Sequence, residues 1–335
     1  MTPRSTSPKG KRATILDVAA ASGVSRQTVT RAMNDMPGIS PETRERVQRI
    51  ASELGYSPSR FAKGLVQGAK VSIGLAIPDL TNPYFPAFAS SVVEAATGRG
   101  WNVVVDDYGH GTGSAVDAAA RLAPQVDALI GYLAPHADEA QALMGRRPVV
   151  ALDSPDAGTA GRISFDYRHA ARLALARLAA RGCTNVAFLD SDQGGPAGSR
   201  SAAAAAVAEE AGMQLSRFKA EPSAAAAKAA VALLADRADP VDGILAFNDL
   251  MAAGALKALQ ASGKAVPGDC AVIGMDGIPL GELLTPELTT LALDLRAVGR
   301  AAVGLLEGLL SGSLAEGGTE AHLILRHELV LRQSA

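Results

Sequence analysis

Cysteine and aromatic residues are scarce in this sequence of 335 residues. The only cysteines, Cys183 and Cys270, lie far apart and lack the paired spacing of a metal site or a disulfide framework. A reduced, cytoplasmic environment is therefore expected. Aromatic residues make up only 4% of the chain, whereas alanine is abundant, so small side chains must fill much of the core.

Long apolar runs are also missing. No uninterrupted apolar stretch reaches the roughly 20 residues needed to span a bilayer, so no membrane partner is expected. The first dozen residues are polar and basic, and they lack the apolar segment of a signal peptide. We therefore predict that residues 1–12 form a disordered basic arm on a cytoplasmic protein.

The signatures of common enzyme sites are absent as well. The sequence has no P-loop, HExxH or GxSxG motif, and its five histidines form no metal-like cluster. The glycine run Gly109–Gly113 lacks the third glycine of a dinucleotide-binding loop. Asp190 and Asp192 could mimic an acid/base pair, but Ser191 and the glycines that follow favour a solvated loop. The sequence therefore predicts no enzyme activity, no cofactor and no metal site.

The net charge of −2 hides a division of charge along the chain. Residues 1–70 carry 12 Lys/Arg and 5 Asp/Glu, whereas the remaining residues carry 20 and 29. A basic segment joined to an acidic body is typical of a nucleic-acid-binding module attached to a domain that does not itself bind phosphate.

Three short helices are predicted in the basic segment. Thr14 caps the first helix, whose apolar stripe is expected to include Leu16, and Gly23 allows a tight turn after it. Ser25 caps the second helix, and Ser40 with the following proline opens the third. The apolar face of the third helix is expected to comprise Val47, Ile50, Ala51 and Leu54. The first two helices and their turn have the spacing of a helix-turn-helix.

The second helix leaves polar side chains outside this core at its N-terminal end. Arg26 and Gln27 lie in its first turn and Arg31 follows one turn later, all directed away from Val29. Arginine can bind guanine through two hydrogen bonds, and glutamine can bind adenine, so these residues suit the major groove. Short donors that suit phosphate oxygens accompany them at Thr28, Thr30 and Asn34.

The runs ATILDVAAASGVSRQTVTRAMN and ISPETRERVQRIASELGYSPSRFAKGL resemble the DNA-binding domain of the lactose-repressor/galactose-repressor (LacI/GalR) family. The DNA contacts implied by this resemblance are Thr14, Arg26, Gln27, Thr28, Thr30, Arg31 and Asn34. Residues from Ser57 onward match the family's hinge helix, in which Leu65 would wedge into the minor groove of bent DNA. Gly64 stands where the family usually has a better helix former, at a cost of about 1 kcal/mol, so this helix is expected to fold only on DNA.

From Val71 onward, short apolar runs alternate with longer, alanine-rich helical stretches. This alternation predicts parallel sheets covered by helices on both faces. Two such sheets in succession imply two lobes with a ligand cleft at the carboxyl ends of their strands. The predicted strands are Val71–Ile77, Asn102–Val105, Ala128–Ile130, Val149–Leu152, Val186–Leu189, Ile244–Phe247, Ala271–Met275 and Leu323–Leu331.

The runs IGLAIPDLTNPYF, GILAFNDLMAAGALKAL and VPGDCAVIGMDGI, with the LTTL run starting at Leu288, resemble the effector domain of the same family. That domain is similar to periplasmic sugar-binding proteins. The resemblance implies an N-terminal all-α helix-turn-helix domain with a hinge helix, followed by a two-lobed α/β periplasmic-binding-protein-like domain with parallel sheets. The effector-binding residues that it implies are Tyr84, Phe85, Asp153, Arg200, Asn248 and Asp276.

Ionised carboxylates, an arginine and an amide suit a polyhydroxylated ligand, because hydroxyl groups both donate and accept hydrogen bonds. Other roles remain open for three of these residues, since Tyr84 and Phe85 could mainly pack a lobe and Asn248 could only cap a helix. The positions that depart from the family's usual glycine, aromatic and glutamine are Ala203, Ala204 and Leu293. The expected pocket is therefore roomier and less polar, and its ligand is a sugar or a related small polar metabolite.

These features predict a ligand-responsive, sequence-specific DNA-binding transcription regulator, usually a repressor in this family. One helix-turn-helix reads half of a palindromic operator, so we expect a homodimer whose heads lie one DNA turn, about 34–36 Å, apart. Its partners would be double-stranded operator DNA, a sugar-like effector and a second copy of the chain. In the cell it would be cytoplasmic and associated with the nucleoid when bound to DNA.

The predicted domain limits are residues 13–57 for the helix-turn-helix, 58–69 for the hinge and linker, and 70–335 for the effector-binding and dimerisation domain. The first lobe would comprise 70–165 and 295–323, and the second lobe 166–294 and 324–335. The alternative is a transport-type small-molecule-binding protein without a regulatory role. Whether the ligand releases or strengthens DNA binding stays open, because a ligand stabilises whichever lobe arrangement it prefers.

Overall fold

The computed structural model describes residues 15–33, 36–54, 70–109, 113–154, 157–191, 200–235 and 240–335. The chain divides into two compact units, Met1–Val71 and Ser72–Ala335. The predicted basic arm over residues 1–12 and the predicted hinge over residues 58–69 lie outside the described residues.

The described part of the first unit is helical. Its helices are α1 Ile15–Ser22, α2 Arg26–Met33 and α3 Pro41–Glu53. The Ser25 Oγ accepts a hydrogen bond from the Thr28 amide at 3.1 Å, and the Ser40 Oγ accepts one from the Thr43 amide at 3.2 Å, so both serines cap their helices as predicted. Gly23 has a φ of 66° in the turn between α1 and α2, a backbone conformation that suits glycine.

The core of this unit is small and aliphatic. Its fully buried side chains are Val18, Val29, Ala32, Val47 and Ala51. The expectation for Leu16 was wrong, because this residue is 64% exposed. In α1 the inward positions follow Ile15 at helical spacing through Val18 and Ser22, which leaves Leu16 on the opposite face. Leu54 was also expected inside, but it lies at the C-terminal end of α3 and is 39% exposed.

The second unit contains two six-stranded sheets. Its strands are β1 Ser72–Ile77, β2 Asn102–Asp107, β3 Ala128–Tyr132, β4 Val149–Leu152, β5 Gly161–Phe165, β6 Asn185–Ser191, β7 Gln214–Ala220, β8 Gly243–Ala246, β9 Ala271–Asp276, β10 Thr289–Ala292, β11 His322–Leu325 and β12 Glu328–Val330. The first sheet has the order β11-β5-β4-β3-β1-β2, and the second has the order β12-β10-β9-β8-β6-β7. Pairing is parallel throughout except between β10 and β12, which agrees with the predicted parallel sheets.

Helices join these strands and cover the sheets. They are α4 Tyr84–Thr97, α5 Ala115–Leu122, α6 Ala137–Met144, α7 Tyr167–Ala180, α8 Arg200–Glu210, α9 Ala224–Ala235, α10 Asp249–Ala261 and α11 Leu295–Ser311, with 3-10 helices at Pro279–Glu282 and Thr319–Ala321. We call the first sheet with α4, α5, α6 and α11 the first lobe, and the second sheet with α7 to α10 the second lobe. Each lobe has an apolar core between its sheet and its helices. No helix in the described ranges has the length and apolar content that crossing a membrane requires.

The prediction of one strand over Leu323–Leu331 was wrong. The segment forms β11 in the first sheet and β12 in the second, so the chain crosses between the lobes in its middle. Three strands were missed in the sequence, namely β5, β7 and β10. The first lobe also extends to Leu325 rather than to residue 323, because Leu325 pairs with Phe165 in the first sheet.

Two of the three crossings between the lobes run side by side. One follows β5 at Asp166, and the other follows β11 at Arg326. The Asp166 amide donates a hydrogen bond to the Leu325 carbonyl at 2.9 Å, and the Arg326 Nε pairs with the Asp166 Oδ2 at 3.1 Å. Polar contacts therefore tie the two crossings to each other.

His327 fills the space beside these crossings. It is 1% exposed, and its ring centroid lies 6.0 Å from that of Phe165 and 5.8 Å from that of Tyr167. Its buried Nδ1 has no hydrogen-bond partner among the described residues. Burial, helped by the positive charge of Arg200, lowers the pKa of His327 to about 3. The ring is therefore neutral at ordinary pH.

Helices α4 and α11 pack closely where Gly299 meets Ser91. A Cβ at position 299 would lie 2.7 Å from the Ser91 carbonyl carbon and in hard contact with the Ser91 Oγ. We expect the Gly299→Ala variant to lower the free energy of unfolding by about 1–3 kcal/mol, because backbone cannot move aside as a flexible side chain can. Urea unfolding followed by circular dichroism would measure this change.

Gly304, on the same helix α11, provides the matched control. Nothing lies within 4 Å of a Cβ built there. The Gly304→Ala variant should raise the free energy of unfolding by about 0.5–1 kcal/mol, because alanine loses less backbone entropy in a helix. If both variants changed the free energy of unfolding by the same amount, the close contact with Ser91 would not explain why a glycine stands at position 299.

Candidate functional site: a cleft between two lobes and an exposed helix face

A cavity of about 700 Å³ opens between the two lobes. The carboxyl ends of parallel strands lie at one edge of each sheet, and ligands of open α/β sheets bind at that edge. Lining residues at or just after strand ends in the first lobe include Asp79, Tyr108, Tyr132, Asp153 and Phe165. Those of the second lobe include Asp190, Ser191, Phe247, Asn248 and Asp276. The volume lies within the range of roughly 300–1,000 Å³ that is usual for small-molecule sites.

A charged cluster occupies the centre of this cleft. Arg200 begins α8, and its Nη1 lies 3.6 Å from the Asp276 Oδ1. The Tyr167 hydroxyl donates a hydrogen bond to the Asp153 Oδ2 at 2.7 Å and accepts one from the Arg200 Nε at 3.4 Å. Both side chains of the ion pair are well shielded, at 15% and 5% exposure. The cluster therefore joins both lobes through one tyrosine.

The guanidinium of Arg200 is held from several sides. It donates to the Phe247 carbonyl, and its central carbon lies 4.3 Å from the Phe247 ring centroid and 5.5 Å from the Tyr167 ring centroid. Both rings can stabilise the cation through their faces. Burial opposes its charge, but Tyr167 and the two aspartates outweigh burial and raise the pKa of Arg200 above its ordinary value.

Burial lowers the pKa of an arginine but raises the pKa of a carboxyl group, and it does so for both aspartates. It raises the pKa of Asp276 well above the ordinary value, against the attraction of Arg200. It also raises the pKa of Asp153, against Arg200 and the Tyr167 hydroxyl. Such carboxyl groups have lost water that they had when exposed. Ligand hydroxyl groups could replace that water.

Both aspartates also have unusual backbone geometry. Asp153 follows β4 with a φ of 52°, and Asp276 ends β9 with a φ of 132°. Residues other than glycine rarely adopt these φ values, and the residues that do adopt them cluster at functional sites. The turn after Asp276 is held by Asp249, which accepts hydrogen bonds from the Ile278 amide at 2.9 Å and the Thr290 hydroxyl at 2.6 Å.

Three of the predicted effector-binding residues also have clear packing roles. The Asn248 Oδ1 accepts a hydrogen bond from the Met251 amide at 2.8 Å and so caps α10. The hydroxyls of Tyr84 and Tyr132 lie 2.5 Å apart, and the Phe85 ring meets both tyrosine rings edge-on at centroid distances of 5.2 and 5.3 Å. All three predicted residues nevertheless line the cleft.

The structure thus brings all six predicted effector-binding residues to one cleft. Sequence reasoning missed several other lining residues, among them Tyr108, Tyr132, Tyr167, Arg217 and Phe247. Phe247 was visible as the end of a predicted strand, whereas Tyr167 follows a strand that was not predicted. Ala203, Ala204 and Leu293 are not among the described lining residues.

The expectation that Asp190 belongs to a solvated loop was wrong. Asp190 lies within β6, lines the cleft and is only 4% exposed. Its Oδ2 lies 2.5 Å from the Arg217 Nε and 2.5 Å from the Arg217 Nη2. Its predicted companion Asp192 lies outside the described residues. In the part of the chain that is described, no group of three or more His, Cys, Asp or Glu side chains is placed to hold a metal ion.

Helix α2 of the first unit carries the predicted base readers. Arg26, Gln27 and Thr30 are exposed, while Thr28 and Arg31 are half-buried. The Thr28 hydroxyl lies 2.9 Å from the Ser25 Oγ, and the Thr30 hydroxyl donates to the Arg26 carbonyl at 3.1 Å. The remaining predicted DNA contacts, Thr14, Asn34 and Leu65, lie outside the described residues.

Comparisons with known proteins agree with both parts of this description. Residues 14–59 match the family model described as bacterial regulatory proteins, lacI family, and residues 175–335 match that of a periplasmic binding protein-like domain. A ribose operon repressor from Halalkalibacterium halodurans is 32% identical over 297 residues, which cover 88% of this chain and 89% of the relative.

Solved structures extend the similarity to the whole fold. The crystal structure of a LacI family transcriptional regulator from Arthrobacter sp. FB24 in complex with lactose has 58% identity and a TM-score of 0.77, and covers 80% of this chain and 100% of that one. The lac repressor dimer bound to operator has 28% identity and a TM-score of 0.70, and covers 97% and 99%.

A helix-turn-helix joined to a two-lobed α/β unit with a polar cleft defines a ligand-responsive, DNA-binding transcription regulator. The chain belongs to the lacI family of bacterial regulatory proteins. The expected fold class is thereby confirmed. A transport-type binding protein would leave the helix-turn-helix match at residues 14–59 unexplained.

Proposed function

We propose that the chain is a repressor whose cleft binds a neutral sugar, and that sugar binding changes its affinity for a palindromic operator. The observation that carries this proposal is the buried cluster of Arg200, Asp276 and Asp153 at the centre of the cleft. One fixed cation between two carboxyl groups offers both donors and acceptors, which is what the hydroxyl groups of a sugar require. The lactose-bound relative with 58% identity supports this choice of ligand.

In the proposed complex, Asp153 and Asp276 accept hydrogen bonds from sugar hydroxyls, while Arg200 donates to them. Tyr84 and Phe85 supply the apolar wall against which the faces of a sugar ring can pack. Asn248 offers its amide nitrogen, since its oxygen caps α10. The chain then acts by binding alone, without a catalytic step.

On the DNA side, we propose that Arg26, Gln27 and Arg31 read bases in the major groove. Further proposed contacts are Thr14, Thr28, Thr30, Asn34 and, in the hinge over residues 58–69, Leu65. A dimer is proposed because one helix-turn-helix reads only half of a palindrome, and the similar lac repressor binds its operator as a dimer. As a regulator that acts on operator DNA, it would work in the bacterial cytoplasm and be associated with the nucleoid while bound.

The test begins with the full-length chain and a DNA site selected from a random pool. Binding to this site and to random DNA would be measured at two salt concentrations, with and without lactose, galactose, glucose and cellobiose. A regulator should lose affinity steeply with salt but keep a large preference for the selected site. At least one sugar should change that affinity about tenfold or more, in one direction. A selected site that no sugar affects would contradict the proposal.

The Gln27→Ala variant tests the base readers in the same assay. Loss of the two hydrogen bonds to one base should weaken binding to the selected site by about 1–3 kcal/mol and relax the preference at one base pair. Binding to random DNA should stay unchanged. Arg49→Ala on α3, which removes an exposed partner of Glu53, is the control. An equal loss on selected and random DNA would show that Gln27 does not read a base.

A further inference from the structure

The cleft is longer than its central charged cluster. Along the second sheet, Asp276 stands at the end of β9, Phe247 follows β8, Asp190 lies near the end of β6 and Glu221 follows β7. Neighbouring strands lie about 4.8 Å apart, so the polar edge from β9 to β6 measures about 10 Å and the edge to β7 about 14 Å. All these residues line the same cavity. A single sugar ring held by Arg200 and Asp276 would not reach the described residues at the β6–β7 end.

The first lobe extends equally far on the other side of the cleft. Asp153 follows β4, Tyr132 ends β3 and Tyr108 follows β2, which is three strands away from β4 in the sheet order. Tyr108 donates its hydroxyl hydrogen to the Tyr132 carbonyl, which fixes the position of its ring at the cleft wall. The two lobes therefore continue together beyond the central cluster, toward the β2 and β7 edges of their sheets.

Asp190 and Arg217 form an ion pair at the β6–β7 end of the cleft. The Asp190 carboxylate is nearly buried, and its Oδ1 accepts a hydrogen bond from the Ser191 amide at 2.9 Å. Its Oδ2 takes both contacts from Arg217, whose side chain is 50% exposed. A guanidinium carries five N–H donors, so the two nitrogens that meet Asp190 do not use all of them.

We propose that the pair Asp190–Arg217 forms a second sugar compartment, so that the effector is an oligosaccharide of at least two rings. This inference rests on the proposed sugar-binding function. The first ring occupies the Arg200 cluster, and the second lies between the Asp190–Arg217 pair and Tyr108. Because the pair is neutral as a whole, its compartment favours hydroxyl groups over a phosphate or a carboxylate. The resulting ligand chemistry is a neutral disaccharide or longer saccharide.

A similar pair outside the cleft provides a control. Arg121 on α5 meets Asp106 on β2 through its Nε at 2.8 Å and its Nη2 at 2.6 Å. Its side chain is 51% exposed, close to the exposure of Arg217. Arg121 does not line the cleft. Each arginine thus pairs with its own carboxylate near a sheet edge, and the two arginines differ in their access to a ligand.

The experiment is calorimetric titration of the full-length chain with lactose and cellobiose and with galactose and glucose. The wild-type chain should bind one disaccharide at least about tenfold more tightly than either monosaccharide. The Arg217→Ala variant should lose about tenfold in disaccharide affinity, the size expected for one charge-assisted hydrogen bond, and less than twofold in monosaccharide affinity. Arg121→Ala should change neither affinity.

A structural role for Arg217 would give a different pattern. It would weaken both classes of sugar equally, and that result would overturn the second compartment. Thermal unfolding of each variant checks folding, and Arg217→Lys, which keeps the charge beside Asp190 with a single nitrogen, must show the same selective loss if Arg217→Ala unfolds. If a disaccharide bound no more tightly than a monosaccharide, the second compartment would be overturned, but the proposed sugar-binding function would stand. Failure of all four sugars to bind would overturn the proposed function as well, and operator binding would then be the only activity left.

Discussion

The Asp276→Asn variant is expected to lose at least about 100-fold in sugar affinity and with it the response of operator binding to sugar. The carboxylate that we propose as a hydroxyl acceptor becomes a neutral amide, and the charge-assisted hydrogen bonds it makes, each worth about 1.5–3 kcal/mol, are weakened together. Arg200 also loses the charge 3.6 Å from its Nη1. Operator affinity without sugar should stay within about twofold, since Asp276 belongs to the second unit.

Two measurements check this expectation, namely calorimetric titration with lactose and operator binding with and without that sugar. Glu328→Gln is the control, because it removes an exposed carboxylate from β12 of the same lobe. It should leave both measurements unchanged. Full sugar sensitivity in the Asp276→Asn variant would remove Asp276 from the binding site, and a parallel loss of sugar-free operator binding would point to misfolding instead.

The second large effect is expected in the acid stability of the fold. The folded pKa of His327 is about 3, below its ordinary value of 6.5, so the unfolded chain binds a proton that the folded chain excludes. Stability is therefore full above about pH 6.5, falls as the pH drops below that value and levels off near pH 3. At pH 5 the loss from this residue is about 2 kcal/mol. The His327→Leu variant should lack this loss.

Urea unfolding at pH 7.5 and pH 5 measures the difference between the two chains. The charged and titratable groups around His327 are Arg200, His169 and Asp166, and all of them remain in the variant. Asp153 and Asp276 have raised pKa values and contribute with the opposite sign, but equally in both chains. Identical acid loss in wild type and His327→Leu would contradict the assignment.

Most of the helix-turn-helix could be predicted from local signals in the sequence. Ser25, Gly23 and Ser40 act on neighbouring backbone, so their roles are visible without knowing what packs nearby. Leu16 was misjudged because α1 is short, and two apolar faces could be chosen from its eight residues. Only the packing of α1 against α2 and α3 decides that Val18, and not Leu16, faces inward.

In the second unit, the strands found from sequence are mostly the central, fully buried ones, such as β4 and β8. β7 was missed because it is an edge strand with polar residues and partial burial along most of its length. β11 and β12 were merged because each is only a few residues long and pairing with different sheets is a long-range property. Asp190 was misplaced for a related reason, since its partner Arg217 lies on the missed strand β7.

The six effector-binding residues were implied by family resemblance, and the structure shows that they meet at one cleft. Their roles toward a ligand remain predictions. Residues such as Tyr132 and Tyr167 could not be selected in advance, because a tyrosine at a strand end faces either solvent or a partner lobe. The direction in which Tyr167 faces depends on its contact with Arg200, which lies more than thirty residues away in the sequence.

Tyr167 belongs to two groups at once, because its hydroxyl holds Asp153 and Arg200 while its ring supports His327 beside the tied lobe crossings. A ligand that drew either charged group toward itself would act on a side chain that also packs beside the segments joining the lobes. The proposed effector site is thus in contact, through one ring, with the segments that join the lobes. Natural variants that respond differently to the same sugar should accordingly differ at positions 166, 326 and 327, which never touch it.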